Sequence, residues 1–450
     1  MIKDKQPKRV LILTYTFPPM IAAGAYRMAA FAKYLPQFGF HPIVLTVKLN
    51  SLSWNGPIDD DSSKGNYPVY RISGAHVGVI ATRIFGKHIS GYGKSRQEFR
   101  SSQASIVKRI LGFIYDDVIS LQDQQWPWYI LGKYQAIKIA KRVKPHILLS
   151  SALPFSSHLL AAAIKRKLNI PWVADYRDLW SGFPLGSEVR LTRLWKEKFE
   201  KNVLRHSDAL ATVSKPLAKY LAQISKKSIH VVTNGFDPDE HVTGSMEFPD
   251  HWKACRLNIL YTGMIYPVFR DLKPLAQAIQ QMNAMDHIQK GDLLVWLFGP
   301  NTDVVKPVIE KYRVEPFFKI SGSLPHRKAL QLQRSADILL FLEWGDGRQK
   351  GFFSAKFFEY LGAGKPILGI GPQGGVVDDT LKETGAGTML NDPILISQAL
   401  SFFLHNRFFQ TQNGVYKPDL KKLHKFTRKY QTQKLARIMK KVATYKELTL

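Results

Sequence analysis

Almost throughout, the chain alternates apolar runs of strand length with segments of helical period, and it does so in two series separated by an irregular stretch. Parallel sheets covered by helices need this alternation, because each crossover returns over one face of the sheet and the strands end up buried on both sides. The expected strands of the first series are VLILT (10–14), PIVLT (42–46), HILLS (146–150), PWVAD (171–175), ALATV (209–213) and IHVVT (229–233). The second series is NILYT (258–262), LLVWLF (293–298), FFKIS (317–321), DILLFL (337–342) and PILGI (366–370). The pattern predicts two doubly wound α/β units, and 450 residues are enough to build two cores.

The break lies near 234–256, where the turn dipeptide Asn234-Gly235 precedes a polar run punctuated by Pro238, Gly244 and Pro249. The expected organisation is a first domain over 1–235, a linker over 236–256, a second domain over 257–415 and a basic helical tail over 416–450. Within the first domain, residues 77–128 form a basic amphipathic insertion, in which Ile106, Val107, Ile110, Leu111, Phe113, Ile114, Val118 and Leu121 follow helical spacing away from Lys108 and Arg109. With 45% hydrophobic residues the chain has the material for packed cores, which excludes disorder as its main state. Lys8 and Arg9 before VLILTYTF loosely mimic a secretory leader, but Pro18 and Pro19 interrupt the apolar stretch, so a first buried strand is the better reading. No run of 18 apolar residues occurs, so no transmembrane helix is expected. Cys255 is the single cysteine, which removes intrachain disulfides and cysteine-rich zinc sites and suits a reducing compartment.

The formal net charge of +29 points to an anionic partner. Much of it is concentrated: residues 77–113 carry seven basic and one acidic side chain, and residues 417–450 carry eleven and two. No nucleic-acid module is evident, and the basic segments are interleaved with Ile, Leu, Phe, Trp126 and Trp128, a composition suited to an anionic membrane surface.

The densest chemical signal is GFFSAKFFEYLGAGKPILGIGP (351–372). Ser354 suits a helix N-cap, Gly362-Ala363-Gly364 a stop, and the helix N-terminus beside a parallel sheet edge offers unpaired N–H groups to an anion. Lys356 adds a charge there, and Glu359, one turn on, can accept from two vicinal hydroxyls of a sugar. An ordinary capped helix with a solvated Lys and Glu has the same composition. In the first half, Gly24 and Arg27 open a helix after the first strand, while Asp175, Arg177 and Asp178 follow a buried strand; an Asp–Arg pair that merely fixes the loop is the alternative.

The 351–372 segment resembles the donor-site region of glycosyltransferase family 4, specifically its bacterial polysaccharide branch with a GKLFEYLAAGKPIL-like stretch. FPPMIAAGAYR (17–27), VADYRDLW (173–180), TNGFD (233–237) and YTGMIYPVFRD (261–271) are similar, in the same order, to the family's first loop and helix, its D-x-R-D-x-W segment, its interdomain turn and the loop opening its second domain. The resemblance implies a GT-B fold, two Rossmann-like domains facing a central cleft, and transfer of a sugar from a UDP- or GDP-linked donor to a glycan or polyprenyl-linked acceptor. It implies retention of configuration, no metal and no cofactor, and a place on the cytoplasmic face of the bacterial membrane. It assigns the donor ribose to Glu359, the diphosphate to Arg270 with Lys273 or Lys356, further donor contacts to Ser354, Ala355, Gly263 and Gly24, and the acceptor side to Arg27, Asp175 and Arg177, with Asp178 positioning more than acting as a base.

The chain departs from the family pattern in places. An acid common eight positions before the ribose glutamate is Gly351, which leaves Glu343 and Asp346 as nearby replacements; Ala355 and Ala23 stand where glycines are usual, and Met264 where an arginine is. The same fold also serves nucleotide-sugar 2-epimerases, and a non-catalytic binder of nucleic acid or anionic lipid is the alternative from another class. GIGPQG (369–374) matches a dinucleotide fingerprint, but Asp378 and Asp379 fall where the pyrophosphate would sit. Asp59, Asp60 and Asp61 read as a solvated loop, and no histidine and carboxylate spacing suggests a metal site.

Overall fold

A computed structural model describes residues 6–50, 58, 65–77, 123–181, 190–240, 252, 257–265, 270–299, 301–345, 350–406, 416 and 418–447. The amphipathic element expected over 104–121, Cys255, Asp346 and the Asp59–Asp61 run lie outside them. The chain forms two compact units, one of residues 1–233 with 428–450, the other of 234–427.

In the first unit the elements run β1 (Lys8–Leu13), α1 (Ala23–Tyr34), β2 (Phe40–Val47), β3 (Val69–Ile72), α2 (Trp126–Val143), β4 (Ile147–Ala152), α3 (Ser156–Leu168), β5 (Trp172–Tyr176), α4 (Arg190–Leu204), β6 (Ala209–Thr212), α5 (Lys215–Ile224) and β7 (Ser228–Val231). The second unit follows with β8 (Leu257–Thr262), α6 (Lys273–Ala284), β9 (Leu293–Phe298), α7 (Thr302–Lys311), β10 (Phe318–Ser321), α8 (His326–Ser335), β11 (Ile338–Leu342), α9 (Ala355–Ala363), β12 (Ile367–Ile370), α10 (Val376–Thr384), β13 (Gly387–Leu390), α11 (Pro393–Asn406) and α12 (Leu420–His424). The last helix, α13 (Arg428–Glu447), returns to the first unit.

Both sheets are parallel, ordered β3-β2-β1-β4-β5-β6-β7 and β10-β9-β8-β11-β12-β13. Every strand predicted from an apolar run is present. The two that the runs did not predict, β3 and β13, are edge strands with partly exposed residues, so their composition carries a weaker signal. The order reverses direction between β1 and β4 and between β8 and β11, and at such switch points the loops leaving the carboxyl ends of adjacent strands part to form a crevice.

Alternation along the strands feeds a core on each face of the sheet. In β8, Leu257, Ile259 and Tyr261 join the cluster under α6, α7 and α11, whereas Leu260 joins Trp296, Phe357 and Tyr360 on the other side. The segment expected as a single basic tail is divided between the units. Leu423 and Phe426 pack in the second, while Leu435, Ala436, Ile438, Met439 and Ala443 of α13 pack against Met28, Phe31 and Leu35 in the first. Each fully buried Leu or Met contributes roughly 1.5–3 kcal/mol, so this stripe anchors the helix and turns Lys429, Arg437, Lys440 and Lys441 outward.

Candidate functional site

Of the residues expected on the donor side, Gly263, Arg270, Ser354, Ala355, Lys356 and Glu359 lie around the switch point of the second sheet. β8 ends at Thr262, and Gly263 follows with φ +111, a conformation that favours glycine; a Cβ there would also lie 2.8 Å from Lys356 Nζ. The loop brings Arg270 back over the strand end. Its Nη1 donates to the Tyr261 hydroxyl at 3.1 Å and to the Met264 carbonyl at 3.0 Å, and its guanidinium lies 5.9 Å from the Trp344 ring centroid. A backbone bridge ties Arg270 to Trp344, linking the loops after β8 and β11.

Lys356 enters from the first turn of α9, its Nζ 3.7 Å over the Tyr261 ring. The ammonium is buried and has no hydrogen-bond partner among the described residues. Burial holds its pKa well below the ordinary lysine range, the Arg270 charge lowers it further, and Glu359 partly opposes both. Tyr261 thus holds one cation at its hydroxyl and another on its face. An anionic group laid against the pair would relieve the repulsion and raise the lysine's pKa back toward its ordinary range. Tyr261 was legible only as a strand residue, because its role comes from the two cations folded onto it.

Glu359, one turn beyond Lys356, is steadied by α8. His326 Nε2 donates to its Oε1 at 3.2 Å and Gln333 Nε2 to its Oε2 at 3.3 Å; Gln333 also donates to Thr262 Oγ1 at 3.0 Å. Ser354 occupies the N-cap position of α9, but its hydroxyl makes no capping bond; it is buried without a partner among the described residues, beside Ala355 at the helix start. Lys273 is not brought to the pair: it is exposed at the start of α6, where its backbone N–H donates to Asp271 at 2.9 Å. Glu343 leaves the end of β11, accepts from Trp344 N at 2.9 Å, and has its carboxyl pushed up to about 7 by burial against the opposing pull of that N–H and of Arg270. The dinucleotide fingerprint folds as its charge pattern requires: Asp378 itself accepts from Gly374 N at 2.8 Å and from Lys382 at 2.7 Å, occupying the N–H that a pyrophosphate would need.

In the first unit, Arg27 and Asp175 form a buried bidentate pair, Nε to Oδ2 at 3.0 Å and Nη2 to Oδ1 at 2.7 Å. Arg27 also donates to the carbonyls of Val232 and Thr233, and Ser151 Oγ donates to Asp175 at 2.9 Å. This pair fixes the start of α1 to the ends of β5 and β7. Arg177 donates to the carbonyls of Ala152 and Leu153 at 2.9 and 2.6 Å, and it packs so close to Gly24 that a Cβ there would lie within 2.7 Å of Nη1. Burial raises the Asp178 carboxyl, with Arg177 opposing and Asp175 reinforcing the shift.

Two buried groups escaped sequence reasoning. His158 on α3 shares a 2.7 Å hydrogen bond with Ser150 and packs 4.7 Å from the Tyr176 ring; burial pushes its pKa down to about 3, so it is neutral. Glu200 on α4 accepts from Ser181 N at 3.1 Å and from the Ser181 hydroxyl, and burial pushes its carboxyl up to about 7. Its place on the apolar face with Phe199, Val203 and Leu204 was the signal available in the sequence. A folded pKa above the unfolded value means that Glu200's contribution to stability is full below about 4.5 and is lost as pH rises through about 7. In the Glu200→Gln variant, the stability lost between pH 5 and pH 8 should therefore shrink by about 3 kcal/mol. Melting curves at both pH values check this, and parallel losses in variant and wild type would contradict it.

No group of three or more His, Cys, Asp or Glu side chains able to hold a metal occurs among the described residues, and no described helix is long and apolar enough to cross a membrane.

Two parallel, doubly wound units, each with a switch point, match the GT-B fold seen in glycosyltransferase structures. The profile described as Glycosyltransferase Family 4 matches residues 25–240, so this part of the chain is similar to that family. No curated protein matches it. Among solved structures it is similar to a glycosyltransferase from Rickettsia africae (13% identity, 97% of this chain and 99% of that one covered, TM-score 0.60). It is also similar to Anabaena HepE in complex with UDP-glucose (14%, 98% and 99%, 0.53). A UDP-N-acetylglucosamine 2-epimerase has the same fold (13%, 96% and 94%, 0.52).

Proposed function

We propose that the protein transfers a sugar from a UDP- or GDP-linked donor to a glycan or polyprenyl-linked acceptor in the synthesis of a bacterial surface polysaccharide, with retention of configuration and with neither metal nor further cofactor. The observation that carries this reading is the convergence of Arg270 and Lys356 on Tyr261, with Glu359 one turn away. When the bond from the anomeric carbon to the diphosphate breaks, negative charge grows on the leaving oxygen. Two preorganised, poorly solvated cations stabilise that charge more in the transition state than in the ground state. Glu359 receives the ribose hydroxyls, and the backbone N–H groups at the start of α9, with Ser354, Ala355 and Gly263 beside them, line the phosphates. The acceptor oxygen bonds to the anomeric carbon as its proton passes to the departing phosphate, so no strong protein base is required and Asp178 serves to position. Glu343 is the acid available to the donor sugar in place of Gly351.

A panel of UDP- and GDP-sugars in a thermal-shift assay, followed by transfer assays with and without a lipid-linked acceptor, tests the reading. Stabilisation by one nucleotide sugar and acceptor-dependent release of the nucleoside diphosphate are expected. The epimerase of like fold supports a second reading, which acceptor-independent conversion of the nucleotide sugar to its 2-epimer would establish instead. Turnover should persist in excess EDTA, because the cations occupy the role that a divalent ion plays on a diphosphate elsewhere. Loss on chelation with recovery on adding magnesium or manganese would overturn metal independence. The exposed basic face of α13 and the net charge of +29 support peripheral attachment to the cytoplasmic leaflet, with nucleic acid no partner. Flotation with anionic liposomes should fade at high salt, whereas preferential binding to DNA would sink this assignment.

A further inference from the structure

Glu359 projects from a helix, and an isolated carboxylate there would sample several rotamers. α8 prevents this by engaging both oxygens, His326 at Oε1 and Gln333 at Oε2. The two partners differ in kind. Gln333 is fully buried and is shared with Thr262, whose N–H donates to the Tyr360 hydroxyl at 3.0 Å, so it belongs to the packing between β8, α8 and α9. His326 opens α8 and is 28% exposed, beside a Glu359 that is 26% exposed. It therefore touches the carboxylate where that carboxylate is still open to a ligand.

We propose that His326 is a positioning residue that holds Glu359 for a vicinal diol and thereby sets the preference of this site for ribonucleotides over 2′-deoxyribonucleotides. The proposal rests on the reading of Glu359 as the ribose contact. A carboxylate accepts best from two adjacent hydroxyls when its own plane is turned so that each oxygen faces one of them. A donor that fixes one oxygen from the side supplies that orientation before the ligand arrives, so less ordering remains to be done on binding. Ionised Glu359 is acceptor-only, so the Nε2–H of His326 is the donor in this contact, whether the ring is neutral or charged. The nearest pair of structural partners, Gln333 and Thr262, keeps the helices in place when His326 is changed.

Isothermal titration of the full chain with UDP, GDP and their 2′-deoxy counterparts tests this. Wild type should bind the preferred ribonucleotide about tenfold more tightly than its deoxy form. In His326→Ala that ratio should fall to about two, through weaker ribonucleotide binding with deoxynucleotide affinity nearly unchanged, and His326→Gln, which restores an N–H donor, should recover most of it. The unchanged deoxynucleotide affinity also reports that the variant is folded. Equal losses for both nucleotides, or an unchanged ratio in His326→Ala, would overturn the proposal. If Glu359→Gln removes the discrimination while His326→Ala does not, the ribose site stands and the role of His326 falls. If Glu359→Gln leaves the discrimination intact, or wild type binds neither nucleotide, the reading of Glu359 falls and takes this proposal with it.

Discussion

Arg270→Ala should lower turnover at saturating nucleotide sugar by about 10²- to 10³-fold, the effect of removing one preorganised donor from a site where oxyanion charge develops. On the proposed reading the loss should be larger in kcat than in KM, since a guanidinium on the diphosphate would face more charge as the leaving group departs than in the intact donor. Arg270 is suited to this by what holds it: the Tyr261 hydroxyl, the Met264 carbonyl and the bridge to Trp344 leave it little freedom to relax toward water. Removing it also relieves one of the two influences that depress Lys356, so the lysine of the variant should titrate higher than in wild type. Steady-state kinetics on the variant decide the matter. Turnover within a few-fold of wild type would move the diphosphate away from Arg270.

Asp175→Ala should destabilise the first unit by about 3–5 kcal/mol, which corresponds to a fall in its melting temperature of roughly 10 °C. The cause is the charge left behind. Arg27 is 5% exposed and Asp175 fully buried, so the variant keeps a guanidinium inside the unit without the carboxylate that pairs with it bidentately. Ser151 loses its acceptor as well. Denaturant unfolding followed by tryptophan fluorescence measures the effect, and a loss below about 1 kcal/mol would show that water or another group takes over the charge. The pair joins α1, β5 and the end of β7, so its loss should also loosen the loop that carries Arg177 and Asp178.

The amino-acid sequence was sufficient for what depends on a segment's own surroundings. Strands buried on both faces must be continuously apolar, so runs such as VLILT and LLVWLF announced themselves, and with them the two doubly wound units. Lys356 and Glu359 could be placed together because three residues along a helix return to the same face. The acidic first turn of α10 was likewise enough to argue against a dinucleotide, and Asp378 sits on the N–H concerned. The edge strands β3 and β13 escaped because partial exposure relaxes the apolar requirement.

Only the tertiary structure decided which distant residues meet. Arg270 and Lys356 share Tyr261 because β8 and β11 are neighbours, and strand order leaves no periodic trace in a sequence. Glu359 is oriented by His326 and Gln333 because α8 packs beside α9. Lys273, equally plausible by sequence, stays exposed because its helix begins facing outward. The basic C-terminal segment divided between the units for a similar reason: its charges dominated its composition, while the Leu435, Met439 and Ala443 stripe acquires meaning only once α1 offers a surface to bury it. Local pattern records how much of a residue is hidden from water, and the fold alone determines what hides it.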